Sequence, residues 1–302
     1  MEFSKSVIDI IKARKSVRSY SDSLLNEAEK IKILNFLNLK QQSPFGTELR
    51  LQFIDASDID QAQLNRLGTY GFISGAKYFI AGAFKKGKDL NEGSNYVDYG
   101  HCFERAVLFL TDLGLGTCWL GGTFNKGEFS KKIFAGTEEV VPAVSPLGYA
   151  AKKSTAIEKL LRFFAGSDKR KPWSQIFFDG DLTKPLEEIE SGNYKDALEM
   201  VRIAPSASNK QPWRIVFQKD KNTFHFFIQK SKSYPTAYKN LQKIDLGIAM
   251  CHFELTCNEL DIKGGWVENQ PAILNLPDLC RYVISWQDKS QKEREQIKQG
   301  NS

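Results

Sequence analysis

Apolar residues Phe3, Val7, Ile8, Ile10 and Ile11 recur at helical spacing and predict a first helix within residues 3–13. A second is expected at about 26–38, where Asn26 and Glu29 stand like a capping box ahead of Ile31, Ile33, Leu34 and Leu37. Beyond the turn-like Ser43-Pro44-Phe45-Gly46, alternation at Leu49, Leu51 and Phe53 reads as a strand, and the unbroken apolar run Tyr78 to Gly82 as a buried one. A helix over 98–113 then ends at glycine, and Gly114 to Trp119 feeds a strand. A short helix near 127–134 and a strand through 140–144 follow. Residues 150–182 lack periodicity. Afterwards a helix is expected over 185–201, strands at 214–217 and 224–228, a long helix over 245–260 and a last strand at 282–286. The polar residues 287–302 read as a frayed or disordered tail. This order of elements predicts an α+β fold.

The pattern repeats. Asp98-Tyr99-Gly100 through Leu108, Leu113, Leu115 and Trp119 matches Asp245-Leu246-Gly247 through Leu255, Leu260, Ile262 and Trp266 without a gap, at a constant offset of 147 residues. Arg50-Leu51-Gln52-Phe53 aligns with Arg214-Ile215-Val216-Phe217 at an offset of 164, so insertions separate the two blocks. Duplicated halves in one chain commonly mimic a symmetric dimer, because an isologous interface survives covalent linkage. The expected organisation is a first half at 1–150, a basic connector at 151–183, a second half at 184–286 and the tail at 287–302.

Composition narrows the classes. The 302 residues are 41% hydrophobic, and no run approaches the roughly 18 apolar residues of a membrane span. The start, Met1-Glu2-Phe3-Ser4-Lys5, lacks a signal peptide's regions, so a cytoplasmic protein is expected. Five cysteines without CxxC spacing read as buried thiols, and three histidines lie at no metal-ligand spacing. A net charge of +6 spread along the chain does not point to nucleic acid. Gly114-x-Gly116 follows a helix and precedes a strand, the reverse of a dinucleotide fingerprint.

Candidate chemistry begins at Arg14-Lys15-Ser16-Val17-Arg18-Ser19-Tyr20, the densest anion-binding candidate: guanidinium groups bind phosphate oxygens bidentately, and a serine hydroxyl or free amide fills remaining acceptors. This segment resembles the R-x-S-x-R-x-[FY] opening of the nitroreductase family, which binds FMN. Pro205 to Arg214 resembles the family's P-S-x-x-N-x-Q-P-W loop, and Leu147-Gly148-Tyr149 followed by Lys169-Arg170 its late G-Y strand and basic segment. Leu113 to Gly122 resembles the G-L-G-T-x-W-x-x-G stretch beside the flavin. The first half has Ser43-Pro44-Phe45-Gly46 where the P-S-x-x-N loop belongs. The second half has Ala197 to Arg202 where no R-x-S-x-R motif is visible. The resemblance therefore implies a nitroreductase-type fold of two tandem repeats in one chain, mimicking the family homodimer, with one intact flavin site. It resembles the family's single-chain branch.

The resemblance further implies that Arg14, Ser16, Lys169 and Arg170 hold the phosphate and ribityl chain of FMN, with Lys15 and Arg18 nearer the pyrimidine edge. Backbone around Leu120 and Gly121 would donate to N5, and Pro205, Ser206, Ser208 and Asn209 would close the site. Phe45, Tyr70, Phe72 and Phe124 are candidate aromatic walls. No acid or base is expected, because the flavin carries the chemistry. The implied function is transfer of hydride from diffusing NAD(P)H through FMN to a nitroaromatic, quinone or similar small-molecule acceptor, by a chain able to act as a monomer. Which acceptor, and NADH or NADPH, stay open. The alternatives are a flavin-binding sensor or storage protein without turnover, or an interaction protein that has lost the flavin.

Overall fold

The computed structural model describes residues 3–59, 73–86, 93–152, 169–231, 240–272 and 276–289. The chain forms two compact units, residues 1–168 and 169–302. Of the tail expected at 287–302, Gln287 and Asp288 belong instead to the last strand, extended by its pairing with two neighbours, and residues 290–302, the connector residues 153–168, and Tyr70 and Phe72 lie outside the described residues.

In the first unit, α1 (Val7–Ala13) starts at Ser6, whose hydroxyl accepts from the Asp9 amide. Helix α2 (Glu27–Leu37) carries the expected capping box: Asn26 Oδ1 accepts from the Glu29 amide at 2.9 Å, and Glu29 Oε2 accepts from the Asn26 amide at 2.8 Å. Strands β1 (Leu49–Asp55), β2 (Tyr78–Lys85), β3 (Gly116–Thr117), β4 (Glu139–Val140) and β5 (Val144–Gly148) form one antiparallel sheet in the order β1-β2-β5-β3, with β4 also paired to β2. The single strand expected through 140–144 is thus two, because Pro142 between them has no N–H to donate to a ladder. The 19-residue helix α3 (Ser94–Asp112) buries Tyr99, Phe103, Ala106, Val107 and Leu110. A short helix, α4 (Lys126–Lys132), lies between β3 and β4.

The second unit has its own sheet, in the order β6-β7-β8-β10-β9: β6 (Phe177–Asp179), β7 (Trp213–Gln218), β8 (Thr223–Gln229), β9 (Gly264–Val267) and β10 (Cys280–Asp288). β6 pairs parallel to β7, and all other pairs are antiparallel. The segment expected to be irregular therefore contributes a strand. Phe177, Phe178 and Asp179 supply it, too short a stretch to stand out by periodicity. The helix expected over 185–201 is a 3-10 segment at Glu188–Tyr194 and α5 (Lys195–Arg202), interrupted at Gly192, whose φ is +56°. Helix α6 (Leu241–Glu259) has 19 residues, and with α5 it covers an aromatic core of Tyr194, Phe217, Phe224, Phe253 and Trp286. All five cysteines are buried thiols outside any disulfide. No described helix is long and apolar enough to cross a membrane.

Helices α3 and α6 correspond residue for residue at the 147-residue offset, and they end alike. Gly114 donates to Thr111 O and Leu115 to Leu110 O; Asp261 donates to Asn258 O and Ile262 to Cys257 O. Both are the paired closing bonds of a Schellman terminus, which needs a left-handed residue. Gly114 takes φ +81° without penalty, whereas Asp261 takes φ +55° with a Cβ. Replacing Asp261 by Gly is expected to stabilise the second unit by about 1 kcal/mol, read as a higher urea midpoint at unchanged slope.

Candidate functional site

The basic segment after α1 is laced into the first unit's sheet by its backbone. Val17 N donates to Thr117 O at 2.8 Å, Ser74 N to Arg18 O at 2.8 Å, and Tyr20 N to Ser74 O at 2.9 Å. Ser21 N then donates to Tyr149 O and Ala151 N to Ser19 O, both at 2.9 Å. Three sequence-distant stretches thus pin one extended strip, and its side chains cannot drift. Val17 and Tyr20 turn into the core, Lys15 is exposed, and Arg14, Ser16 and Arg18 are half-buried. Close approach here requires Gly116, where a Cβ would sit 2.6 Å from Val17 Cγ2.

The two guanidinium groups differ. Arg14 has a side chain only 8% exposed, and its Nε stands 4.0 Å from Oε1 of the fully buried Glu104. Glu104 Oε2 accepts a 2.6 Å hydrogen bond from the Trp119 indole. Arg18 has a buried Nη1 with no hydrogen-bond partner among the described residues. Leaving a charged donor buried and unpaired costs free energy that an anionic acceptor would return. Arg18 Nη1 is therefore a donor suited to an acceptor from outside the described residues.

Of the pair expected to face the flavin ring, Leu120 has its amide and carbonyl bonded to Val144, at 2.8 and 3.0 Å. Its N–H is committed to the sheet, so the amide left to donate is that of Gly121. Phe124 packs edge-on against Phe129 in the core, with ring centroids 5.6 Å apart. Phe45 is half-buried, and its amide donates to Asp98.

In the second unit the structure brings Lys169 and Arg170 onto the loop Pro205–Asn209. Asn209 Nδ2 donates to Lys169 O at 2.7 Å, and Arg170 donates to Asn209 Oδ1 at 3.3 Å and to Ile203 O at 3.1 Å. Arg170 is thereby engaged in holding the loop, while Lys169 and Ser208 are exposed. Gln211, 3% exposed, is the hub. Its amide donates to Ser206 Oγ, its side-chain amide donates to Asn209, its Oε1 accepts from the Lys171 amide at 2.8 Å, and its carbonyl accepts from Lys171 Nζ and Arg214. Burial, with Arg214 and Lys210 nearby, lowers the Lys171 ammonium to about 8. Ser208, Asn209 and Gln211 all have positive φ, between 47° and 53°. Such backbone costs roughly 1 kcal/mol or more per residue and persists only where surrounding bonds impose it.

One of those bonds comes from α6: Ala207 N donates to Asp245 Oδ1 at 2.9 Å. Asp98, at the matching position of α3, accepts from both Phe45 N and Thr47 N at 2.9 Å. Glu104, Gln211 and Asp245 were not among the expected site residues. The repeat did align Asp98 with Asp245, and a charged residue inside an apolar helical run was the available signal for Glu104.

Replacing Gln211 by Ala is expected to leave the Lys171 amide without its acceptor and to cost about 1–3 kcal/mol. Amide exchange at Lys171 should accelerate in step with the loss of stability measured by denaturant.

The residues 6–257 match a family described as putative TM nitroreductase. No curated protein matches the chain. Among solved structures, the chain is similar to a putative nitroreductase from Thermotoga maritima, at 21% identity over 93% of each chain with a TM-score of 0.56. It is also similar to an FMN-dependent nitroreductase from Clostridium difficile, at 20% identity over 49% of this chain and 90% of that one with a TM-score of 0.39. A third is a nitroreductase family protein from Clostridium novyi, at 19% identity over 49% and 87% with a TM-score of 0.41. The first likeness extends to the α+β nitroreductase-type fold alone. Because the family match runs through both compact units, from α1 to the end of α6, the chain belongs to the putative TM nitroreductase family.

Proposed function

We propose that the chain is an FMN-dependent oxidoreductase that takes NAD(P)H as a diffusing co-substrate and reduces a nitroaromatic, quinone or similar small acceptor. The observation that carries this reading is the buried, unpartnered Arg18 Nη1, on the same strip as Arg14 and Ser16, whose backbone is tied at Val17, Arg18, Ser19, Tyr20 and Ser21. Within a family of nitroreductases, the donors of this strip are read as facing FMN, Arg14 and Ser16 toward its phosphate and Arg18 toward its pyrimidine edge.

In this reading Arg14 and Ser16 hold the phosphate, with Lys169 as the exposed cation of the second unit, while Arg170 orders the loop Pro205, Ser206, Ser208 and Asn209 that also contacts the flavin. Lys15 and Arg18 put positive charge by the pyrimidine edge, where it stabilises the reduced cofactor electrostatically and raises its potential. The Gly121 amide serves as the donor to N5. FMN would supply uptake and release of hydride, and the protein's part is to bind, orient and exclude water.

We also read the chain as a fused pseudo-dimer. Support comes from the equal helices α3 and α6, their matching Schellman ends, and Asp98 and Asp245 at the same helical position.

The test is the visible spectrum of the purified chain, identification of released cofactor by mass, and addition of NAD(P)H under argon. One FMN per chain that bleaches is expected. Flavin that NAD(P)H does not bleach would remove turnover from the reading, and a chain that cannot be reconstituted with FMN would remove the cofactor. Replacing Arg14 and Arg18 together by Ala should release FMN, since two charge-assisted contacts of about 1.5–3 kcal/mol each are lost. Unchanged flavin content in that variant contradicts the assignment.

A further inference from the structure

We propose that Asp245 is the positioning residue of the Pro205–Asn209 loop, and that it holds the loop as the neutral acid and releases it on ionising. Only the link to flavin binding rests on the functional reading above.

The aspartates at matching positions of α3 and α6 differ in what they hold. Asp98 meets two backbone N–H groups, one on each oxygen. At the 164-residue offset of the strand blocks, the counterparts of Phe45 and Thr47 are Asn209 and Gln211. Asn209 N donates instead to Ser206 O at 3.0 Å, and Gln211 N to Ser206 Oγ at 2.9 Å. The serine has drawn off both amides. Asp245 keeps one donor, Ala207 N, and its Oδ2 is buried with no partner among the described residues.

Among the described residues no cation, Lys243 of α6 and Lys210 after the loop included, forms an ion pair or hydrogen bond with Asp245. On α5, Arg202 pairs with Glu199 and Lys195 with Glu188. On β7, Arg214 donates to the carbonyls of Gln211 and Trp213; on β8, His225 is bonded to Ser285 and Gln218; on α6 itself, His252 meets Met200 O. Neither these nor Asp196 of α5 forms an ion pair or hydrogen bond with Asp245 among the described residues. Asp245 is 4% exposed, and the 3-10 turn Ala207–Asn209 that meets it carries no charge. A carboxyl with one accepted bond and one bare oxygen in such surroundings is favoured with its proton on.

Burial, opposed only by the Ala207 amide, pushes the Asp245 carboxyl up to about 8. A carboxyl raised in the folded state contributes stability that is fully present below its unfolded pKa and is lost as pH rises through the folded value. Below 6.5 the opposite slope of His225, lowered to about 4 by burial and Lys221, masks the effect. Lys171, lowered to about 8, acts above that value. The window in which Asp245 acts alone among these three is therefore about pH 6.5 to 8.

Hydrogen exchange of the loop is the experiment, on the full-length chain at several pH values from 6.5 to 8.5, corrected for intrinsic rates, for the wild type, Asp245→Asn and Asp245→Ala. Wild-type exchange should rise, approaching tenfold per pH unit below the folded pKa, as the ionised fraction does. Asp245→Asn, which keeps the acceptor and cannot ionise, should exchange slowly and without pH dependence. Asp245→Ala should exchange fast throughout, and if it does not fold the Asn variant decides alone. A flat wild-type profile, or the same rise in Asp245→Asn, overturns the proposal. FMN affinity measured in parallel should weaken from pH 6.5 to 8.5 in the wild type only. Absence of FMN binding with the exchange signature intact rejects the flavin reading and leaves the clamp standing. The reverse result rejects the clamp.

Discussion

A backbone amide removed from water must find an acceptor, and the irregular segments of this chain are organised by how they meet that requirement. In the first unit the strip Ser16–Ser21 meets it by borrowing carbonyls from three distant stretches, at Thr117, Ser74 and Tyr149. In the second, the loop before β7 meets it through Ser206, Gln211 and Asp245. Side-chain donors then project from backbones with no freedom left to collapse onto them. That is how Arg18 can keep a buried, unpartnered nitrogen in a stable fold: the strip is held by other bonds.

The two aspartates at the fifth position of the two 19-residue helices illustrate how one device diverges. Asp98 serves two amides of an ordinary turn. Asp245 serves one amide of a loop in which three residues adopt left-handed backbone, and Ser206 takes the others. The second arrangement leaves a buried oxygen bare, so the loop that carries the P-S-x-x-N motif is held by a group whose charge state matters. The first unit, which lacks that motif, has no such dependence built into the corresponding turn.

Charge is divided in a similar way within the basic segment. Glu104 faces Arg14 and also accepts from the Trp119 indole, tying α3, the chain after β3 and the end of α1 to one buried carboxylate. Arg18 has no such counterion among the described residues. Of the two arginines, one is therefore partly compensated by the protein, and the other depends on what binds. Arg170 in the second unit is compensated by carbonyl and amide oxygens instead, which makes it a builder of the loop.

Much of this was legible in the residue pattern because it is local. Helical spacing, the Asn26–Glu29 box and the Gly114 terminus depend on residues a few positions apart, and the 147-residue repeat carries over helix length and cap alike. Misreadings fell where a local rule was overridden or too weak. Pro142 split one strand, Gly192 broke a helix, and β6 was only three residues, recruited by parallel pairing with β7. The motifs named the residue types of the site, since arginine, serine and asparagine are chosen for their donors. Whether a donor is free is a property of neighbours far away in the chain. Only the folded structure could commit the Leu120 amide to Val144, engage Arg170 with Ile203 and Asn209, set Glu104 against Arg14, and leave Asp245 with a single bond, because each depends on burial and on acceptors brought together by tertiary contacts rather than by spacing along the chain.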